Sequence, residues 1–441
     1  MSNNKELKKT IGFGTALATV AGTVIGAGVF FKASAVTEYT GSSSLAMWSW
    51  ILGGLITICA GLTVAELAAM YPETGGLTRY ITKSYGKFWG YLAGWAQTVV
   101  YFPANIAAIA IAFGTQVVNL FALSNLYIVP ISALCALSLY LINFISIKAA
   151  GRVTSIAFIC KLIPIIAIVI LGFFHKETGN VSLFPIVAGA DRSFWSALGQ
   201  GLLATMFAYD GWLHVGNIAG EMKNPKRDLP LAISIGIALV MVVYVAVNGV
   251  FYWIQPVNNI IGNMNIASDV SQIIFGDFGG KIITIGILIS VYGGLNGYIM
   301  TGMRVPYVMG YQKQLPFSNH FAKLNDAGVP VIAGICQFFI AVIMMLSGQF
   351  DTITNMLVFV IWFFYTMAFT AVIRLRRLEP DIERPYRVPL YPIIPIVAIL
   401  GGALIVINTI FTQLVISLIG LLITVIGIPI YLYVQKKNES N

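Results

Sequence analysis

The sequence predicts an all-α polytopic membrane protein, and three observations support this fold class. Of the 441 residues, 58% are hydrophobic and only 10% are charged, whereas soluble domains carry about 25% charged residues. Apolar windows long enough to cross a hydrocarbon core recur along the whole chain. Two of these windows are interrupted by glycine or aspartate. We therefore expect a single transmembrane domain over residues 1–441.

The apolar windows predict twelve spans. Their approximate ranges are 11–36, 44–70, 88–120, 127–147, 153–174, 194–220, 230–254, 279–308, 330–348, 352–375, 391–412 and 415–434. A helix rises 1.5 Å per residue, so about 20 residues cross a bilayer core of about 30 Å. The sequence thus predicts twelve transmembrane helices in contact with lipid.

The distribution of Lys and Arg predicts the orientation. Most of the 26 basic residues fall in loops on one side of the predicted bundle, and the other side carries only Lys32, Lys176, Arg192 and Lys281. Because cytoplasmic loops are enriched in Lys and Arg, and the number of spans is even, we expect both termini in the cytoplasm. The net charge of +9 is then a topology signal and does not indicate nucleic-acid binding. The run Arg374–Arg387 is interpreted as a solvated loop.

Span 1 contains an unusual glycine cluster in the stretch Ala21–Phe31. Gly22, Gly26 and Gly28 fall close together, and each costs about 1 kcal/mol against Ala in a helix interior. One interpretation is a helix break, which is tolerated at membrane depth only where it is buried in protein or lines a cavity. The other is close packing of a second helix against the glycines.

Span 6 repeats this irregularity. Asp210 and Gly211 lie in mid-span, followed by His214 and Asn217, which predicts a second interrupted helix. The Asp210 carboxylate is either a functional group in the membrane or a cap for the second half-helix. Two broken spans five spans apart predict an inverted repeat. Its halves are spans 1–5 (11–174) and 6–10 (194–375), with 391–434 as two additional spans.

Lys161 lies within span 5, nine residues beyond Arg152. That spacing puts it roughly 13 Å into the core. A lysine at the centre of a span costs about 2.5–3.5 kcal/mol. Its ammonium either snorkels to the cytoplasmic interface or faces the bundle and donates to backbone carbonyls freed by a helix break.

The sequence gives little support for a metal site, a cofactor or an enzyme. The cysteines are isolated and have no CxxC spacing, and the three histidines are scattered; these residues are Cys59, Cys135, Cys160, Cys336, His175, His214 and His320. An intramembrane enzyme would need a nucleophile with a base; Asp210 and His214 are four residues apart, but no Ser or Cys motif accompanies them. The sequence contains no repeated filter-like loop of the kind that indicates an ion channel.

Five motifs occur in order along the chain: GTVIGAGVF in span 1, AELAAMYPETGGLTRYITKSYG after span 2, FAYDGW in span 6, GEMKNPKRDLPLAI after it, and GGLNGYIMTGMR with QKQLP in and after span 8. Together they resemble the amino acid–polyamine–organocation (APC) superfamily. Within it, the sequence is most similar to bacterial L-type amino acid transporters, especially serine/threonine and alanine/serine/cysteine exchangers. The resemblance extends over about residues 7–435.

The resemblance implies a LeuT-type fold that works by alternating access, with a substrate site at the two breaks. The N–H groups of Gly26, Ala27 and Gly28 would bind the substrate carboxylate at a helix N-terminus. Backbone carbonyls would accept from the α-ammonium, and these belong to Val24, Ile25, Phe207, Ala208 and Asp210. Phe207 and Tyr209, with residues of spans 3, 8 and 10, would set the side-chain specificity.

The resemblance also implies that Lys161 stands in for the sodium ion of sodium-coupled relatives, with Ser290 and Asn296 as candidate partners. The expected function is sodium-independent exchange of small neutral L-amino acids (Ala, Ser, Thr, Cys, Gly) across a bacterial plasma membrane. A proton-coupled symporter is the alternative, with Lys161, Asp210 or Glu66 carrying the proton. Because residues 121–126 contain no Cys, no disulfide-linked heavy subunit is expected.

Overall fold

The computed structural model describes residues 12–71, 76–213 and 222–439, and this part of the chain contains helices but no β-strand. Within these described ranges, nine helices are long and apolar enough to cross a membrane, or ten if one bent pair counts as a single span. The predicted all-α polytopic architecture is therefore confirmed at this level.

The helices follow the predicted spans closely. In the first part of the chain they are α1 (Phe13–Val24), α2 (Gly28–Thr40), α3 (Ser43–Met70), α4 (Gly76–Tyr85), α5 (Lys87–Ala96), a π-helical turn (Gln97–Tyr101), α6 (Phe102–Leu120), a 3₁₀ turn (Asn125–Tyr127), α7 (Ile128–Ile145) and α8 (Ile147–Phe174). The turn and its two flanking helices form one continuous span over 87–120.

The second part begins with a shortened helix. Its helices are α9 (Phe194–Ala208), α10 (Pro225–Ile254), α11 (Val257–Ile260), α12 (Ile266–Gly302), α13 (Arg304–Tyr311), α14 (Ser318–Phe321), α15 (Val331–Met345), α16 (Phe350–Leu378), α17 (Ile393–Thr412), α18 (Leu414–Val425) and α19 (Gly427–Glu439). Helix α12 starts well before the predicted span 8 because its range joins two helices across a kink at Gly276, where φ is +70°.

The packing brings the two interrupted regions together. Helix α1 packs along α10 and α2 along α9, while α12 packs against α6 and α8. As a result, the ends of α1 and α9 and the start of α2 lie in the middle of the bundle. The predicted end of span 6 falls largely at 214–221, outside the described residues, as do His214 and Asn217.

Glu66 holds together the end of the bundle to which most basic loops belong. Its carboxylate is 1% exposed; it accepts two hydrogen bonds from Arg376, at 2.9 and 2.6 Å, and one from the Val388 N–H at 2.8 Å. Arg384 Nε lies 3.6 Å from Oε1 of the same carboxylate. The prediction that Arg374–Arg387 is a solvated loop is therefore wrong for Arg376 and Arg384, because a buried carboxylate fixes them.

Tyr71 adds a second link at the same end of the bundle. It follows the last residue of α3, and its hydroxyl donates to Oε2 of Glu379 at 2.9 Å. Burial, together with the neighbouring Glu379 carboxylate, raises the pKa of Tyr71 to about 12. The phenol therefore stays protonated and keeps donating at physiological pH. Both Glu66 and Tyr71 thus tie the end of α3 to the segment that follows α16.

Candidate functional site

The first helix is broken at the predicted glycine cluster. Helix α1 ends at Val24, helix α2 begins at Gly28, and their axes differ by 47°. The break starts at Ile25, whose ψ of 99° is extended. The first N–H groups of a helix have no intrahelical acceptor, so the amides at Ala27 and Gly28 point out of α2 at the positive end of its dipole.

The second break lies directly against the first. Helix α9 ends at Ala208, and Gly211 takes a φ of +105°, which favours glycine. A Cβ on Gly28 would lie 2.6 Å from the Cβ of Ala208, and one on Gly211 would lie 3.0 Å from the Thr23 carbonyl oxygen. The two interruptions therefore touch through backbone atoms, which only glycine permits at Gly28 and Gly211.

Tyr244 of α10 links the two breaks. Its hydroxyl lies 2.8 Å from the carbonyl oxygen of Val24 and 3.0 Å from that of Ala208. The side chain is fully buried. A single phenol proton is therefore shared between two carbonyls that regular helices would have satisfied, and this fixes the spacing of α1 and α9.

Lys161 reaches the break of helix 1 from α8. Its ammonium donates to the carbonyl oxygens of Gly22 and Ile25, the second at 2.6 Å. The side chain is only 6% exposed, so it faces the bundle and does not snorkel to the interface. A fixed positive charge thus lies on the carbonyls at the end of α1.

Neither expected partner makes a hydrogen bond to Lys161. Asn296 of α12 instead donates to the Ala150 carbonyl oxygen at 2.8 Å and accepts from Asn143 at 2.6 Å, so it joins α12 to α7 and α8. The Ser290 hydroxyl is buried and has no hydrogen-bond partner among the described residues. Both residues had been named as candidates because the resemblance implies that the lysine bridges to span 8, where they lie.

Four of the five carbonyls expected to bind an ammonium already hold protein donors among the described residues. Val24 and Ala208 accept from Tyr244, and Ile25 accepts from Lys161. The Phe207 carbonyl oxygen lies 3.4 Å from the Asp210 N–H. Because each carbonyl oxygen has two lone pairs, each keeps capacity for one further donor.

Asp210 is surrounded by tyrosine hydroxyls that the sequence did not single out. Tyr101 donates to its Oδ2 at 2.5 Å, Tyr298 lies 3.3 Å from the same oxygen, and Tyr365 lies 3.3 Å from Oδ1. The carboxylate is 4% exposed. These contacts join the second break to the third span, to α12 and to α16, the three regions expected to set specificity. The side chain of Asp210 is thus held by hydroxyls from other helices.

The two aromatic residues expected to contact substrate have different surroundings. The Tyr209 hydroxyl donates to the Trp50 carbonyl oxygen at 2.9 Å, and its ring packs against Trp50 and Tyr244. Tyr209 therefore packs into α3. Phe207, in contrast, packs edge-on against Phe350 of α16, with ring centroids 5.5 Å apart.

Lys32, which the sequence counts among the basic residues of the outer side, does not lie in a loop. The residue lies within α2 and is fully buried; its ammonium is 2.7 Å from the Asp351 carboxylate and 2.6 Å from the Thr354 hydroxyl. It also lies 5.6 Å from the centre of the Phe207 ring. The ion pair joins α2 to α16 beside α9. The sequence shows a lysine in the first segment and an aspartate in the second, but no local pattern indicates that Lys32 and Asp351 form a pair.

No metal site occurs within the described residues, since no three His, Cys, Asp or Glu side chains cluster there. What the site contains is helix-terminal N–H groups, carbonyls with spare lone pairs, a buried ammonium and a hydroxyl-bound carboxylate. Such a set binds a small zwitterion through its charged ends. Among the residues that the structure describes, it holds no nucleophile paired with a base.

The family-model comparison agrees with this class of site. Residues 11–432 match the family model described as amino acid permease. The chain belongs to this family, within the APC superfamily, and is a multi-span membrane transporter and not an enzyme. The predicted family and the predicted absence of an enzyme activity are both confirmed.

Curated relatives match over nearly the whole chain. The serine/threonine exchanger SteT of Bacillus subtilis is 39% identical over 438 residues, covering 98% of both chains. The large neutral amino acids transporter small subunit 2 of Oryctolagus cuniculus is 30% identical over 96% of this chain and 80% of its own. The human cystine/glutamate transporter is 27% identical over 97% of this chain and 85% of its own.

Proposed function

We propose that this protein is a sodium-independent exchanger of small neutral L-amino acids in the plasma membrane. The observation that carries the proposal is the contact of the Lys161 ammonium with the Gly22 and Ile25 carbonyls. A sodium ion at the break would need such oxygens as ligands. A fixed ammonium already supplies the positive charge there, so a sodium gradient is not required.

The proposed architecture is the LeuT-type fold of twelve helices. Its two inverted halves are residues 11–174 and 194–375, residues 391–434 lie outside the repeat, and both termini are cytoplasmic. Two observations support this architecture: the axes of α1 and α2 differ by 47°, and α2 packs on α9. Rocking of one half against the other around a fixed midplane site would give alternating access.

The proposed substrate pose uses backbone for both charged ends. The N–H groups of Gly26, Ala27 and Gly28 bind the carboxylate at the start of α2. The free lone pairs of the Val24, Ile25, Phe207, Ala208 and Asp210 carbonyls accept from the α-ammonium. Small neutral side chains are favoured because α2 and α9 approach closely at Gly28. The 39% identity to a serine/threonine exchanger supports the same substrate class.

The test is exchange in liposomes containing the purified full chain. Labelled L-serine uptake is measured in sodium-free buffer, with vesicles either empty or loaded with unlabelled L-serine. Exchange predicts uptake only into loaded vesicles, with no change when sodium is added. Uptake that depends on sodium would refute the assignment of Lys161 as the built-in cation.

The competing candidate is proton-coupled symport on the same fold. The observation that favours it is Asp210, a buried carboxylate that three tyrosine hydroxyls contact. Empty vesicles with an acid exterior distinguish the two functions. Accumulation of serine under that gradient would establish symport and exclude obligate exchange. Both candidates expect a single chain without a disulfide-linked heavy subunit.

A further inference from the structure

We propose that Asp210 and the three tyrosine hydroxyls around it form a pocket for the substrate's side-chain hydroxyl. The site would then prefer L-serine and L-threonine to L-alanine and L-valine, which lack that group. This inference rests on the proposed amino acid transport and adds the chemistry that selects among small neutral substrates. We call Tyr101, Asp210, Tyr298 and Tyr365 the hydroxyl cluster.

The hydroxyl cluster lies beside the proposed site for the amino acid's charged ends. Asp210 is two residues beyond Ala208, which contacts Gly28, and one residue before Gly211, which contacts Thr23. A substrate bound at the start of α2 by its carboxylate therefore has its Cβ substituent within reach of this turn.

A distortion of the third span positions Tyr101. The turn Gln97–Tyr101 is π-helical, and the Phe102 N–H bonds the Gln97 carbonyl oxygen. The Asn105 amide donates to the Tyr101 carbonyl oxygen at 3.0 Å. Such single π-helical turns are rare and frequently occur at functional sites. The distortion therefore serves to bring one particular hydroxyl onto Asp210.

The three tyrosine hydroxyls form hydrogen bonds of unequal length to the Asp210 carboxylate. Tyr101 bonds the carboxylate at 2.5 Å, but Tyr298 and Tyr365 lie at 3.3 Å, beyond the 2.5–3.0 Å usual for O–H···O. An ionised carboxylate has about four lone-pair positions, and the three tyrosines and the Gly211 N–H fill them. A substrate hydroxyl would therefore replace a long contact, donating to Asp210 and accepting from Tyr365.

There is room for a small group next to the cluster. Tyr298 is only partly buried, unlike its three neighbours in the cluster. A Cβ on Gly294, one turn earlier on α12, would meet no atom of the described chain within 4 Å. Side chains one turn apart share a helix face. The open space therefore lies on the side of α12 that presents Tyr298.

The chemistry favours a hydroxyl over other side chains. A site built from buried polar groups rejects an analogue that lacks the matching group, because the groups are then left unpaired. A hydroxyl both donates and accepts, as this set of one acceptor and three donors requires. A cationic side chain would compete for the carboxylate, and L-lysine is therefore included in the test.

The experiment removes one hydroxyl at a time and keeps each ring. Tyr101→Phe, Tyr298→Phe and Tyr365→Phe are reconstituted, and transport efficiency is measured for labelled L-serine and L-alanine. The matched control is Tyr140→Phe, whose equally buried hydroxyl bonds Gln337 at 3.0 Å on α15. We expect the serine-to-alanine ratio to fall about tenfold or more in cluster variants and to stay constant in the control.

Each outcome decides one point. If the wild type transports no amino acid, the proposed function fails, and this inference with it. If the wild type transports serine but the ratio is unchanged in all three variants, the pocket assignment is overturned and the proposed function stands. An equal loss of serine and alanine transport would show that the cluster is only structural. Transport of L-lysine by the wild type, lost in the variants, would reassign the carboxylate to a second ammonium.

Discussion

Gly28 and Ala208 touch backbone to backbone, so the start of α2 lies directly against the end of α9. This contact is what turns two separate helix breaks into one site. It brings the N–H groups at the start of α2 close to the carbonyls at the end of α9, so that both border the same small space. The geometry depends on the absence of a single methyl group.

The first prediction concerns that methyl group. Gly28→Ala should abolish exchange and lower the melting temperature in detergent, because its Cβ would overlap Ala208 and overpacking costs about 1–3 kcal/mol. The control is Gly151→Ala in α8, where a Cβ would meet no described atom within 4 Å. Unchanged exchange in Gly28→Ala would mean that α2 and α9 separate during transport without needing this contact.

Lys161→Ala should stop transport while expression and membrane insertion persist. The Gly22 and Ile25 carbonyls would lose their donor and the break would lose its positive charge. Lys148→Ala, an exposed lysine at the start of the same helix, serves as the control. The measurement is serine exchange per inserted protein. Wild-type kinetics in Lys161→Ala would show that the lysine has no role in coupling.

The Lys32–Asp351 pair should respond asymmetrically to mutation. Lys32 is fully buried, whereas the Asp351 side chain is 34% exposed. Asp351→Ala leaves a buried ammonium unpaired and should cost about 3–5 kcal/mol. Lys32→Met should cost less, because water still reaches the remaining carboxylate. Thermal unfolding of both single variants and the double variant gives the coupling energy; equal single effects would contradict the burial argument.

Glu66→Gln should loosen the segment that follows α16. The neutral amide cannot replace the charge-assisted bonds to Arg376, and we expect a loss of about 1.5–3 kcal/mol. Limited trypsin digestion should then cut faster after Arg387, which precedes Val388. Glu383→Gln is the control. Glu383 pairs with Lys226, and their side chains are 81% and 63% exposed, respectively; such surface ion pairs contribute little to stability. A cleavage rate equal to wild type would refute the link.

The sequence was sufficient where the physical cause is local. Glycines at membrane depth predicted the break between Val24 and Gly28, and Asp210–Gly211 predicted the end of α9 near Ala208. Lys161 was expected to face freed carbonyls because a central lysine needs donors or acceptors inside the bundle. By contrast, Ser290 and Asn296 were chosen by their position on span 8, and their hydrogen bonds depend on helix rotation.

By itself, the sequence determined the all-α membrane class and the position of the first break. These follow from hydropathy and from the cost of glycine and charge in a helix, which are properties of neighbouring residues. Only the tertiary structure decided what meets at the site: Lys161 on Gly22 and Ile25, Lys32 on Asp351, and the tyrosine hydroxyls on Asp210. Those partners are far apart in the chain, so their contacts arise from helix packing, which no local pattern encodes.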